Sequence, residues 1–305
     1  MITELLSKNH FTWIDVQEPE TEDFERLNKD YSLPSLLVQD CLRPEHLPKY
    51  EESEEGGHFL MMRSFDEGSH FHDTTIQELT RKIAFFFNEN RLISIHRVEL
   101  PYLLSVATKT SKNDFQNSLH GTLHQAILSV IRTYDAPVLR LQDLYDGFEH
   151  EILAVKNEHL STMRIYHFRR QTYILKRILK QTNDSLYRCR DFWEEHPSML
   201  QDLRENIDQL YFQIDEVSIN FEHLFGLHIA LNDQRANDVM KILTVFSSVL
   251  LPLNFLASFY GMNFEHLPGL HSQSAFLLVS SVMIFILIIG VWFFKRRRWF
   301  TTARE

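Results

Sequence analysis

The stretch Lys241–Asn263, KILTVFSSVLLPLNFLASFYGMN, carries no charge after its first residue and ends in Gly261-Met262-Asn263. A second uncharged run, Ala275–Phe294, follows the short loop Phe264–Ser274. Each is long enough to cross the roughly 30 Å hydrocarbon core as a helix, which takes ~20 residues. Most of the chain before Lys241 is polar enough to be soluble. The sequence therefore reads as a large soluble body followed by a two-helix membrane hairpin.

The flanking charges orient the hairpin. Arg235 and Lys241 precede the first span, Lys295, Arg296, Arg297 and Arg298 follow the second, and the loop between them has neither Lys nor Arg. By the positive-inside rule both termini face the cytoplasm and the loop lies outside. Trp292 and Trp299 suit the interface near the end of the second span. The N-terminus, MITELLSKNHF, has no apolar core of signal-peptide length, which keeps the body in the cytoplasm. The expected location is the inner (cytoplasmic) membrane, multi-pass.

With 31 Lys and Arg against 41 Asp and Glu, the 305-residue chain has a net charge of -10. That balance argues against a general nucleic-acid binder, which is usually basic, and fits solubility or cation binding. Cys41 and Cys189 form no framework and show no metal-ligand spacing, so a reducing compartment is the easier reading.

Upstream, Phe11–Asp15 alternates as a first strand, and a helix with Thr21 as its N-cap runs to about Lys29. A short helix over Leu36–Leu42 is followed by strands over 48–53 and 59–64. Lys82–Phe87 and Leu92–His96 form a hairpin across Asn88-Glu89-Asn90. Helices over about 101–109 and 114–133 complete an α/β (α+β) domain, residues 1–135. From Pro137 the chain turns rich in Leu, Ile, Arg, Glu and Gln, with almost no Gly or Pro. Helices over 137–158 and 159–184 precede a third that starts near Ser198. Ile207, Leu210, Ile214, Val217, Phe221, Leu224 and Leu227 step by three and four, a helical stripe near coiled-coil spacing that suits an oligomerisation element. If this helix continues into the first span, about 65 residues make a rod of roughly 100 Å. The expected organisation is a helical stalk, 136–240; a first span, 241–263; an outer loop, 264–274; a second span, 275–295; and a basic tail, 296–305.

The first span is less apolar than the second. At about 100° per residue, Met240, Ser247, Leu251, Asn254 and Ser258 share one narrow face, with Thr244 at its edge. An amide in mid-membrane is costly against lipid. Such a stripe is satisfied either by neighbouring helices, where Ser, Thr and Asn are common, or by water in a channel. One hairpin cannot enclose a pore, so the second reading needs several copies in a ring.

Gly261-Met262-Asn263 between two spans resembles the CorA-type magnesium/cobalt channel family. The match extends through Asn237–Thr244, Pro252, Tyr260–Glu265 and Lys295–Trp299, and Arg43-Pro44 ahead of Pro48–Glu52 is similar to the family's N-terminal domain. The resemblance implies a funnel-shaped homopentamer that carries Mg²⁺, with Co²⁺ as a further cargo. Five first spans line the pore, and Gly261, Met262 and Asn263 form its filter, with Asn263 ringing the outer mouth. Mg²⁺ sheds water reluctantly, so amide oxygens that bind its hydration shell select it without gripping it. By position, Ser258, Asn254, Leu251 and Ser247 continue the path. Leu243 and Met240 form an apolar constriction, and Asn237 lies near the inner mouth. Glu265 attracts cations to the outer mouth. Asn254 stands where relatives often have Thr, Leu251 where Met is common, and Gly226 where an acid is frequent.

In the family, Mg²⁺ held between cytoplasmic domains keeps the channel closed. The matching position is Asp202, with Glu205 and Asp208 one and two turns on. Acids three apart share a helix face and would repel across a subunit interface unless a divalent cation bridged them. Asp66, Glu67 and Asp73 are the candidate partner carboxylates. His120 and His124 are four apart, a zinc-capable spacing, but no third ligand accompanies them. The pair His70 and His72 is similarly unsupported. No catalytic constellation is visible, so the chain is read as a non-enzyme. The rival readings are a related transporter preferring Co²⁺, Ni²⁺ or Zn²⁺, and a membrane-anchored scaffold that moves no ions.

Overall fold

The computed structural model describes residues 2–8, 11–53, 57–70, 72–112, 118–153, 162–262 and 273–297. The chain divides into two compact units, Met1–Phe225 and Gly226–Glu305.

The first unit is built on six strands: β1 (Ile2–Lys8), β2 (Phe11–Gln17), β3 (Lys49–Glu52), β4 (His58–Phe65), β5 (Thr80–Asn88) and β6 (Arg91–His96), in the order β1-β2-β6-β5-β4-β3. Only β2 and β6 pair in parallel, which makes the sheet mixed. The central strands are near-continuous apolar runs. Ile83–Phe87 of β5 is buried throughout, as expected of strands covered on both faces.

One face is covered by α1 (Thr21–Tyr31) and α2 (Ser35–Leu42), whose Phe24, Leu27, Leu37 and Val38 pack on Val16, Met61, Phe86 and Ile95. The other carries α4 (Pro101–Lys112), α5 (Leu119–Arg132) and α7 (Thr162–Arg188), each of which contacts strands. The one-turn α3 (Ile76–Leu79) leads into β5, and α6 (Asp135–Leu153) follows α5. Ser118 caps α5 by accepting from the Gly121 amide at 3.0 Å.

Two sequence expectations change here. The first strand is β1, ahead of Phe11. It is an edge strand with an exposed outer surface, so burial imposes little pattern on it. The N-cap of α1 is Glu20, not Thr21, and the Glu20 amide donates to Asp23 Oδ2 at 3.1 Å.

A 3-10 turn, Cys189–Trp193, joins α7 to α8 (Pro197–Tyr260), a single 64-residue helix. Its first half runs antiparallel to α7. Asn183 donates to Asp208, Lys176 pairs with Asp215, and Arg169 lies 3.8 Å from Glu222. Beneath these contacts, Ile207, Leu210, Ile214, Val217, Phe221 and Leu224 are all buried. Phe221 meets Tyr145 and Phe148 of α6 and Phe168 of α7. The apolar stripe is therefore consumed inside one chain and is not free to join copies, as its coiled-coil spacing suggested. Only Leu227, at the end of the series, is exposed.

The second unit contains the rest of α8 and α9 (Gln273–Arg296). Both helices contain segments long and apolar enough to cross a membrane, and almost none of those segments is buried. Pro252 lies inside α8, where its missing N–H leaves the Ser248 carbonyl unpaired in the helix ladder.

Phe221→Ala empties a site shared by three helices and should cost ~3–5 kcal/mol. Leu227→Ala should change stability by about 0.5 kcal/mol or less. Thermal unfolding of the two solubilised variants, followed by circular dichroism, checks this; equal losses would restore the stripe as an intersubunit seam.

Candidate functional site

The membrane-spanning half of α8 has two distinct faces. Val245 is buried, and Val249, Leu253 and Leu256 are half-buried. They share one face within about 80° at 100° per residue. This face meets α9 at Gly290, where an added Cβ would lie 3.0 Å from Val249 Cγ2. The small residue lets the two helices approach closely, as is common between membrane helices.

Met240, Leu243, Ser247, Leu251, Asn254 and Ser258 are all exposed, centred on the other side of the helix. Asn237 and Thr244 are exposed beside them. The Thr244 hydroxyl donates back to the Met240 carbonyl at 2.8 Å, so the helix satisfies it. The Asn254 amide has no hydrogen-bond partner among the described residues. The polar stripe is thus not what packs α8 on α9; that contact uses apolar side chains and a glycine.

At the end of α8, the Gly261 amide donates to the Ala257 carbonyl at 2.9 Å. A Cβ on Gly261 would sit 3.0 Å from that same oxygen, a close approach that favours glycine. Met262 follows, half-exposed. Asn263 and Glu265 lie outside the described residues. At the far end of α9, the Arg296 guanidinium lies 5.2 Å from the Trp292 ring centre and Arg297 lies 5.7 Å from that of Phe293.

The acidic face expected at the start of α8 is present and exposed. Asp202, Glu205 and Asp208 all face outward. Asp202 Oδ2 lies 2.9 Å from His124 Nε2 on α5, while Glu205 accepts from Gln201 and Asp208 from Asn183. The Asp202–His124 contact joins residues 78 positions apart and had no signal in the sequence.

The candidate partner carboxylates are elsewhere in the chain. Asp66 pairs with Arg81, and the Gln171 amide donates to the His70 and Asp73 carbonyls. In the α7–α8 register, Gln171 is level with about residue 220 of α8. That is roughly 27 Å along the helix from Asp202 at ~1.5 Å per residue. Asp73 is therefore well separated from Asp202 within one chain, and no three metal-capable side chains cluster among the described residues.

The histidines spaced four apart diverge. His120 stacks on Phe192 and His124 faces Asp202. In the sheet, both Ser94 and His96 point at the Asp15 carboxylate. The imidazole does not stand between hydroxyl and carboxylate, as a nucleophile triad requires.

The mixed sheet, the long helix and the two apolar C-terminal helices define a two-span membrane protein with a large α/β body. The chain belongs to the CorA-like Mg2+ transporter protein family, whose model matches residues 8–296. It is 23% identical over 300 residues to the cobalt/magnesium transport protein CorA of Methanocaldococcus jannaschii, covering 94% of this chain and 90% of that one. It is 24% identical over 300 residues to the protein of the same name from Thermotoga maritima, covering 94% and 83%. The complete structure of the M. jannaschii CorA magnesium transporter superposes with a TM-score of 0.78 at 20% identity, over 96% of this chain and 93% of that one. Membership makes this chain a transporter of divalent cations that resides in a membrane.

The Gly290 contact can be tested directly. Gly290→Leu should push Val249 away and cost ~1–3 kcal/mol. The double variant with Val249→Ala should recover part of the loss. Thermal unfolding in one detergent reads both, and an absent rescue would show that the two residues do not share the contact.

Proposed function

We propose that five copies of this chain form a channel for Mg²⁺, with the polar face of α8 as its wall and the α/β bodies as a cytoplasmic funnel. The observation that carries this reading is the exposure of Ser247, Asn254 and Ser258 on the side of α8 away from Val249 and its Gly290 contact. An amide at mid-membrane is costly against lipid. A ring of copies around water removes that cost and needs no further chain.

In this channel Asn263 rings the outer mouth and selects the hydrated ion through its amide oxygen. Glu265 concentrates cations outside. Met240 and Leu243 form the apolar constriction that gates by dewetting, and Asn237 receives the ion at the inner end. The organisation follows: body, 1–135; stalk, 136–240; pore span, 241–263; outer loop, 264–274; second span, 275–295; and tail, 296–305. Both termini are cytoplasmic and the membrane is the inner one, on the strength of the basic residues that flank the hairpin.

A divalent ion moving inward gains about 4.6 kcal/mol per 100 mV, twice the ~2.3 kcal/mol of a single charge. The membrane potential therefore suffices as the driving force. Asp202 and Glu205 bind Mg²⁺ between copies and hold the assembly closed when the ion is plentiful inside. The cobalt named in the relatives' descriptions supports Co²⁺ as a second cargo.

The test is ion flux into liposomes holding the purified protein under an inside-negative potential. Wild type should take up Mg²⁺ in proportion to the potential, and Asn263→Ala should lose at least tenfold of the Mg²⁺ flux. Unchanged uptake in Asn263→Ala would remove the filter. Competition by Co²⁺, Ni²⁺ or Zn²⁺ that exceeds Mg²⁺ at matched potential would reassign the cargo. A monomer with no flux would leave only a scaffold.

A further inference from the structure

Although the chain carries a net charge of -10, four of its cations converge on one cavity of about 200 Å³ in the first unit. Arg63 on β4, Arg81 and Lys82 on β5, and Arg97 just beyond β6 line it, together with Gln77 and Pro44. Arg63 is 2% exposed. None of its lining residues belongs to α8, and nothing in the permeation scheme uses it.

The way these cations are held is informative. Arg63 donates through Nε to Thr80 Oγ1, through Nη1 to the Pro44 and His46 carbonyls, and through Nη2 to the Thr80 carbonyl. Lys82 donates to the Asp40 and Arg43 carbonyls, and Arg97 Nη2 to that of Leu42. Among the described residues none of the three pairs with a carboxylate. Asp66 pairs with Arg81, and the Asp40 carboxylate faces Lys49 and His46.

Neutral carbonyls orient the head groups without a direct carboxylate partner. Burial, with Arg63 and Arg97 alongside, lowers the Lys82 pKa to about 8 against the opposing pull of Cys41 and Asp40. Burial also lowers that of Arg63. Donors remain for a ligand. An ammonium has three N–H groups, of which Lys82 uses two; a guanidinium has five, of which Arg63 uses four and Arg97 one.

We propose that this cavity is a binding site for the phosphate group of a small soluble anion, with Arg63 and Lys82 at its base and Arg97 and Arg81 at its rim. Three cations without carboxylate partners match a multiply charged oxyanion better than a carboxylate, and guanidinium groups bind phosphate through paired N–H donors. The volume is several times the ~30 Å³ share of one water, enough for a phosphate and part of its hydration. Arg63 and Lys82 also tie the 40–46 segment to the sheet, so an occupant would tighten that segment.

The probe is inorganic phosphate, titrated calorimetrically into the purified full chain in metal-free buffer at constant ionic strength, with acetate as the comparison anion. Phosphate should bind saturably and at least tenfold more tightly than acetate. Arg97→Glu, a change at an exposed side chain, should weaken phosphate at least tenfold. Arg140→Glu, an exposed arginine on α6 outside the cavity, should leave it unchanged. Lys82→Met keeps the stem and removes the charge, and should also weaken phosphate at least tenfold. Absence of saturable phosphate binding, equal binding of acetate, or equal losses in Arg97→Glu and Arg140→Glu would each overturn the site.

Discussion

A side-chain amide in hydrocarbon must find a hydrogen-bonding partner or meet water, because lipid offers neither. Asn254 places that demand in the middle of the first span, and α9 does not meet it. The contact between the two spans is made by Val249 and Gly290, on the other side of α8. Ser247 and Ser258 extend the same unmet surface along the helix. The proposed assembly and the proposed permeation path both rest on that one face, which further copies or enclosed water would cover. The large body upstream is the part of the chain available to organise such copies.

Within the body, the long helix is secured by ordinary core packing. Phe221 sits among Tyr145, Phe148 and Phe168, and the stripe that runs from Ile207 to Leu224 is buried against the same chain. Charged pairs such as Lys176–Asp215 flank this core and set its register. Such partly solvated pairs contribute little stability individually; the apolar layer beneath is what holds α8 to α7. The acids at the start of α8 are left on the outside, with His124 against Asp202. A chain in this arrangement presents a carboxylate face to whatever lies beside it.

The sheet of the first unit gathers a cationic cavity among Arg63, Lys82 and Arg97. Arg63 is buried on β4 among mostly apolar side chains, and it is tolerated there because the Thr80 hydroxyl and the Pro44, His46 and Thr80 carbonyls accept its four hydrogen bonds. Burying a guanidinium without a carboxylate is costly. That cost distinguishes the cavity from a solvated basic surface.

The sequence by itself determined the two spans, the polar face of the first and the family, because uncharged length, helical period and Gly261-Met262-Asn263 are local properties. It also determined the central strands, since a run such as Ile83–Phe87 is apolar on both faces only when both are covered. It left β1 unread, because an exposed edge strand lacks that burial pattern. It misassigned the stripe from Ile207 to Leu224, because a period near three and a half residues shows that a helix buries a face and not what covers it. Only the tertiary structure decided that α6 and α7 do so. It alone brought His124 to Asp202 across 78 positions and gathered Arg63, Lys82 and Arg97 around one cavity. Those contacts join segments distant in sequence, and pairing between distant residues is set by how the layers pack.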